Sequence, residues 1–159
     1  MANIERKYLA HYLNTALPGE EVHYERLGKD LEEFRAELSA QVERKINILG
    51  ESRVVISGYE KTAAVETYYA QPDTALFARL QDIIDRGLVL EDLKADVVEV
   101  KLWEEALTEG YPAVRETVYI EVTGYGGDHT GYQIPFTVHY TGEKTPGVFD
   151  VKTKVFTEM

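Results

Sequence analysis

The chain has 159 residues, 44% of them hydrophobic, with 28 Asp and Glu against 17 Lys and Arg, giving a formal charge of −11. That length and apolar content suit one domain with its own core, and no stretch approaches the roughly 18–20 apolar residues of a membrane span. Cysteine is absent, which excludes disulfides and thiolate metal sites, and the start MANIERK lacks a signal-peptide apolar region, so synthesis in the cytoplasm is expected.

The acidic balance argues against attraction to nucleic acid or anionic membrane, because phosphate binding needs clustered Lys and Arg. Two readings of the charge stay open: general solubility, or a surface past which nucleic acid slides without sticking. Eleven tyrosines suit strands and interfaces, since Tyr covers a large area and keeps a polar tip.

Residues 1–17 fit two periods. Ile4, Tyr8, Leu9, Tyr12, Leu13 and Leu17 have helical spacing, while Tyr8, Ala10 and Tyr12 also fit a short strand. Pro18-Gly19 ends the segment, and residues 18–33, polar and punctuated by glycine, read as a long loop. Together 1–33 form an N-terminal arm before a main domain over 34–159.

The strongest periodic signal follows. Phe34, Ala36, Leu38, Ala40, Val42, Ile46 and Ile48 alternate with polar residues, and Arg44 is the one polar member of that set. On a helix these side chains would scatter round the circumference; on a strand they share a face. Fifteen residues give about 50 Å of strand, against a usual ~5–6 residues, so part of it is expected to project or to join a shared sheet.

Gly50-Glu51-Ser52 turns the chain into a second strand over 53–60, and 63–70 reads as a third. One helix is predicted over 73–86, with Asp73 as N-cap, a stripe of Leu76, Phe77, Leu80, Ile83 and Ile84, and Gly87 as C-cap. After a loop over 88–95, strands are predicted around Val98, Val100 and Leu102, and around Val118, Ile120 and Val122 after a turn at Glu109-Gly110-Tyr111-Pro112. Two more follow, around Ile134, Phe136, Val138 and Tyr140, and over 149–156 beyond a turn at 141–147. Strands with one wet face and short turns mean mostly antiparallel sheet. The expected class is mainly β with one flanking α-helix, as an antiparallel β-sandwich or partial barrel.

Little in the chain resembles a catalytic constellation. The loop Gly124-Tyr125-Gly126-Gly127-Asp128-His129-Thr130-Gly131 precedes a strand and lacks a P-loop lysine, so a hairpin with glycines at positive φ is expected. Asp128 and His129 offer two metal ligands without a third by spacing. His11, His23, His129 and His139 are dispersed, no nucleophile elbow occurs, and Glu104-Glu105 and Asp82/Asp85 are pairs an acidic chain produces by chance. Trp103 falls on the wet face of its strand, as an interface anchor or a rim of the core. Neither catalysis, metal nor cofactor is expected.

The run Tyr125-Gly126-Gly127-Asp128, then Gly131-Tyr132-Gln133-Ile134-Pro135-Phe136, then Val138-His139-Tyr140 and Gly142, resembles the tail tube (major tail) proteins of tailed bacteriophages. RLGKDLEE at 26–33, ILGE at 48–51 and VETYYA at 65–70 agree with it, so the likeness covers roughly residues 24–156.

The resemblance implies a structural virion protein, assembled in the bacterial host cytoplasm, whose strands join those of five other copies in one hexameric β-barrel. Such rings stack into a hollow tube through which DNA passes without specific binding. Its partners would be further copies, tail tip or baseplate, tail terminator and tape measure proteins, with no membrane. On that reading Arg35, Glu37, Ser39, Gln41 and Glu43 line the lumen, while Phe34, Leu38, Val42, Ile46, Leu76, Phe77, Leu80, Ile134 and Phe136 belong to the subunit core. Residues 1–33 and the glycine loop, with Tyr8, Tyr12, Glu20, Glu21, Asp128 and His129, are the ring-stacking candidates. Two readings from other classes compete: a monomeric ligand-binding β-sandwich with tyrosines lining its pocket, and a small hydrolase using Asp128 and His129.

Overall fold

The computed structural model describes residues 2–108 and 110–159. A 3-10 turn at Arg6–Tyr8 leads into β1 (Leu9–Asn14), followed by β2 (Tyr24–Arg26), β3 (Ala36–Ile46), β4 (Ser52–Val65) and the helix α1 (Ala75–Arg86). A second 3-10 turn, Leu90–Leu93, precedes β5 (Lys94–Lys101), β6 (Tyr111–Val122), β7 (Gly126–Asp128), β8 (Gly131–Gln133), β9 (Phe136–Asp150) and β10 (Val155–Glu158). Eight strands form one antiparallel sheet in the order β2-β1-β5-β6-β9-β4-β3, with β10 added on β9, and β7 and β8 make a separate ribbon. The mainly β class with a single flanking α-helix is therefore the observed one. No described helix is long and apolar enough to cross a membrane.

The sheet buries residues on both faces. Along β5, Ala95 and Val97 belong to one apolar cluster and Val98 and Val100 to another, which alternation places on opposite sides. The first cluster lies under α1, which contributes Leu76, Leu80 and Ile83 beside Leu13, Val118, Ile120, Ile134, Phe136 and Val138. Full burial of each such side chain stabilises the fold by about 1.5–3 kcal/mol. The second cluster centres on Phe149, with Tyr12 at a ring-centroid distance of 4.5 Å and Tyr24 edge-on at 5.7 Å.

Helix α1 begins one residue later than Asp73 suggests. Thr74 is the N-cap, its Oγ1 accepting the Phe77 N–H at 3.3 Å, and Gly87 closes the helix at φ 60°. Glu25 Oε2 accepts the Leu76 N–H at 2.7 Å, placing a carboxylate at the positive end of the helix and tying β2 to it.

Three sequence expectations need correction. The stretch 53–70 is one strand to Val65 rather than two, because Lys61 and Thr62, which look like a break, are paired within the sheet. The stretch 141–147, read as a turn, lies inside the 15-residue β9, where Gly142 at φ 90° sits in an irregularity opposite Thr117. The stretch 149–156, read as one strand, is the end of β9, a turn over 151–154 and the start of β10. Of the two periods open for residues 1–17, residues 9–14 take the strand, and the expected turn at Glu109 falls partly outside the described residues.

A fork in the sheet organises the molecule. On one edge of β9 the first half pairs with Thr62–Val65 of β4, and the second half with β10. Residues 52–61 of β4 therefore leave β9 and carry β3 with them. Leu38, Val42 and Ile46, expected in the subunit core, are 60%, 55% and 74% exposed, because among the described residues nothing covers these side chains beyond this fork. Phe34, Leu76, Leu80, Ile134 and Phe136 are buried as expected, and Phe77 is half-buried.

Candidate functional site

The β3–β4 hairpin presents two unlike faces. Directly paired residues share a face, so Leu38, Ala40, Val42, Arg44 and Ile46 stand beside Lys61, Tyr59, Ile56, Val54 and Ser52, on a side that is apolar apart from Lys61, Arg44 and Ser52. Glu37, Ser39, Gln41 and Glu43 stand beside Thr62, Glu60, Gly58 and Val55 on the other. Four of the five lumen candidates are thus brought onto one polar face, whereas Arg35 precedes β3 and lines a cleft at its base. Charge on that face is graded. Glu37, Glu60 and Glu43 occupy the base and middle, and Lys45 pairs with Arg53 near the tip.

A β-bulge at Ser57, between the pairs Gln41↔Gly58 and Val42↔Ile56, keeps Tyr59 and Ile56 on one side despite their odd spacing. The tip is ordered by Asn47, whose Oδ1 accepts N–H groups of Leu49 at 2.9 Å and Glu51 at 3.0 Å. Among the described residues no strand pairs with the outer edge of β3, nor with the β9-facing edge of β4 over 52–61. The hairpin is a ribbon with both edges open and its apolar face in solvent.

At its base lies a cleft of about 920 Å³. Arg6, Lys7, Arg26, Lys29 and Arg35 rim an apolar floor of Leu9, Leu31 and Phe34, with Glu32, Glu33 and Glu99 as its carboxylates. The His11 ring, buried against Phe34 at a centroid distance of 4.7 Å, places Nε2 3.6 Å from Glu99 Oε1. That neighbour holds the Glu99 carboxyl below the usual glutamate range, against the opposing effect of burial. No tyrosine lines this cleft.

Beneath the fork sits an ion pair that the sequence reading missed. Lys61 Nζ lies 3.1 Å from Glu116 Oε1 and 4.3 Å from the centroid of the Tyr140 ring, while Glu116 Oε2 accepts the Gly142 N–H at 3.1 Å. Burial, followed by the charges of Glu99 and Glu116, pushes the Tyr140 hydroxyl's pKa upward. The signal was present in alternation: Lys61 falls in register with Tyr59 and Ala63, and Glu116 with Val118 and Ile120, so each is a charge on an apolar face.

A scan of protein-family models and a search of curated proteins returned no match to this chain. The assignment of a role therefore rests on the residues themselves.

The ring-stacking candidates do not form one surface. Tyr8 is 40% exposed, but Tyr12 is buried against Phe149, because both faces of β1 are covered. Glu20 and Glu21 are exposed on a loop over the Ala75, Ala78 and Asp82 flank of α1. Asp128 and His129 are exposed on the β7–β8 ribbon, which meets the other flank through Phe77 and through Gln81, hydrogen-bonded to Tyr132 at 2.7 Å. Asp128 spends its Oδ1 on the N–H and hydroxyl of Thr130, and these bonds lower its pKa. That is turn chemistry, with the carboxylate already engaged.

Proposed function

We propose that the chain is the repeating subunit of a phage tail tube, a structural virion protein that forms stacked hexameric rings around a DNA-conducting channel. The observation that carries this reading is the β3–β4 ribbon, amphipathic, open on both edges and uncovered in the isolated chain. Long unprotected edges are ordinarily blunted or paired, and closing strands from several copies into a barrel removes them. Covering Leu38, Val42, Ile46, Val54, Ile56 and Tyr59 with neighbouring copies would contribute roughly 1 kcal/mol per side chain, a useful driving force once several copies act together.

On this reading Glu37, Ser39, Gln41 and Glu43 face the lumen and the apolar side faces a neighbouring subunit. Carboxylates on the channel wall repel passing phosphate, which gives the overall charge of −11 a mechanical use. The six-fold number and the other tail components as partners come from the resemblance of residues 24–156.

Negative-stain electron microscopy of the concentrated protein, with and without a tail-tip seed, tests the proposal. Hollow tubes or six-fold rings are expected. A monomer that stays monomeric on the seed would overturn it.

A further inference from the structure

We infer that the loop of residues 15–23 of one copy seats Glu20 and Glu21 in the cation-rimmed cleft of a second copy, head to tail; this rests on the tube reading and gives its stacking contact. The two surfaces are complementary in charge. In a chain with a net charge of −11, the cleft sets five cations (Arg6, Lys7, Arg26, Lys29 and Arg35) against Glu32, Glu33 and Glu99, with Lys7 also paired to Glu5 at 3.2 Å. The loop opposes them with two exposed carboxylates and with Val22, 53% exposed, which matches the cleft's apolar floor.

Their places in the fold allow an open chain of contacts. Leu9 and His11, in the first half of β1, line the cleft, whereas the loop leaves the far end of the same strand at Asn14. Six residues of strand separate these ends by about 20 Å. A knob and a socket at opposite ends of β1 make a heterologous contact, which can repeat along an axis without closing on itself.

The loop is also held ready. Asn14 Oδ1 accepts the N–H groups of Ala16 and His23, each at 3.1 Å, and Thr15 Oγ1 donates to His23 O at 3.1 Å. From beneath, buried Arg79 donates to Ala16 O, and anchors itself on Asp92 O at 3.0 Å and Lys94 O at 3.1 Å. Ordering cost is thus met within the subunit, so a docking partner need not supply it.

Other occupants of the cleft fit less well. The hairpin tip is cationic, with Arg44, Lys45 and Arg53 against Glu43 and Glu51. Residues 102–108 are acidic and apolar but flank the cleft itself, since Leu102 N–H bonds Tyr8 O at 2.8 Å.

Charge exchange tests the contact. Glu20→Lys/Glu21→Lys and Arg26→Glu/Lys29→Glu are each expected to fold with a wild-type melting curve and to lose sedimenting polymer. Combining all four substitutions restores it. In a separate chain carrying Glu21→Cys/Lys29→Cys, oxidation of the polymer is expected to give a ladder of cross-linked multimers, undisturbed by native thiols because the chain has none. Folded reversals that polymerise normally, or a cysteine pair that gives no ladder, overturn this contact and leave the tube reading standing. A wild-type chain that never polymerises, even on a seed, overturns both.

Discussion

Lys61 and Glu116 form a salt bridge, Nζ to Oε1 at 3.1 Å, at the point where β4 parts from β9. Thr62↔His139 is the last pair of that ladder, so Lys61 is the first residue of the departing ribbon. Glu116 in turn holds the Gly142 N–H in the irregular stretch of β9. One buried carboxylate therefore binds both arms of the fork.

Removing one partner should cost more than removing both. Lys61→Met leaves Glu116 buried without a counter-charge, a change worth about 3–5 kcal/mol of stability. Lys61→Met/Glu116→Gln should recover most of it. Urea denaturation of the three proteins checks this, and equal losses in the single and double variants would remove the pairing argument.

The apolar ribbon face should matter to assembly and hardly at all to the fold. Leu38→Lys/Val42→Lys changes exposed positions, where substitutions ordinarily shift stability within about 0.5 kcal/mol. The expected outcome is an unchanged melting temperature with loss of tubes by electron microscopy. A lowered melting temperature in the monomer would show the hairpin to be packed in the isolated chain.

Charge on the polar face should act on transport. Glu37→Lys/Glu43→Lys is expected to leave assembly intact and slow DNA release from particles, because the wall would attract phosphate. Unchanged ejection kinetics would sink the lumen assignment.

Acid should weaken the cleft. The folded Glu99 carboxyl titrates below its ordinary value of about 4.3, so its contribution is present above that pH and is lost as pH falls through the lower folded value. Glu99→Gln should therefore flatten part of the loss of urea resistance between pH 5 and pH 3. A variant with the wild-type slope would contradict it.

Two glycines should respond unequally to alanine. A Cβ at Gly147 would stand 2.3 Å from Thr157 O and 2.6 Å from the Phe156 ring, so β10 must move off β9. At Gly87 the space is open and only the left-handed φ of 60° is strained, at about 1–2 kcal/mol. Gly147→Ala should show the larger drop in melting temperature by calorimetry.

Much of the fold was legible where one face of an element is wet. Helix α1 was readable from Leu76, Leu80 and Ile83 against a polar flank, and β3 from its strict alternation. The first strand was not, because Ala10 to Leu13 are buried on both faces and no polar period survives. The continuity of β9 was hidden as well. Thr141 to Gly147 has the composition of a turn, yet Glu116 satisfies the Gly142 N–H, and Pro146 needs only its carbonyl, which accepts the Met159 N–H at 3.2 Å.

Alternation alone determined that residues 36–46 form a strand with an apolar and a polar side, since side-chain direction along a strand has a period of two whatever surrounds it. It could not determine what covers the apolar side. Burial is a property of neighbours distant in sequence, and only the tertiary structure placed β10 beside β9 where β4 would otherwise continue. That substitution leaves Leu38, Val42 and Ile46 in solvent, and turns a strand that reads as core into an exposed apolar surface.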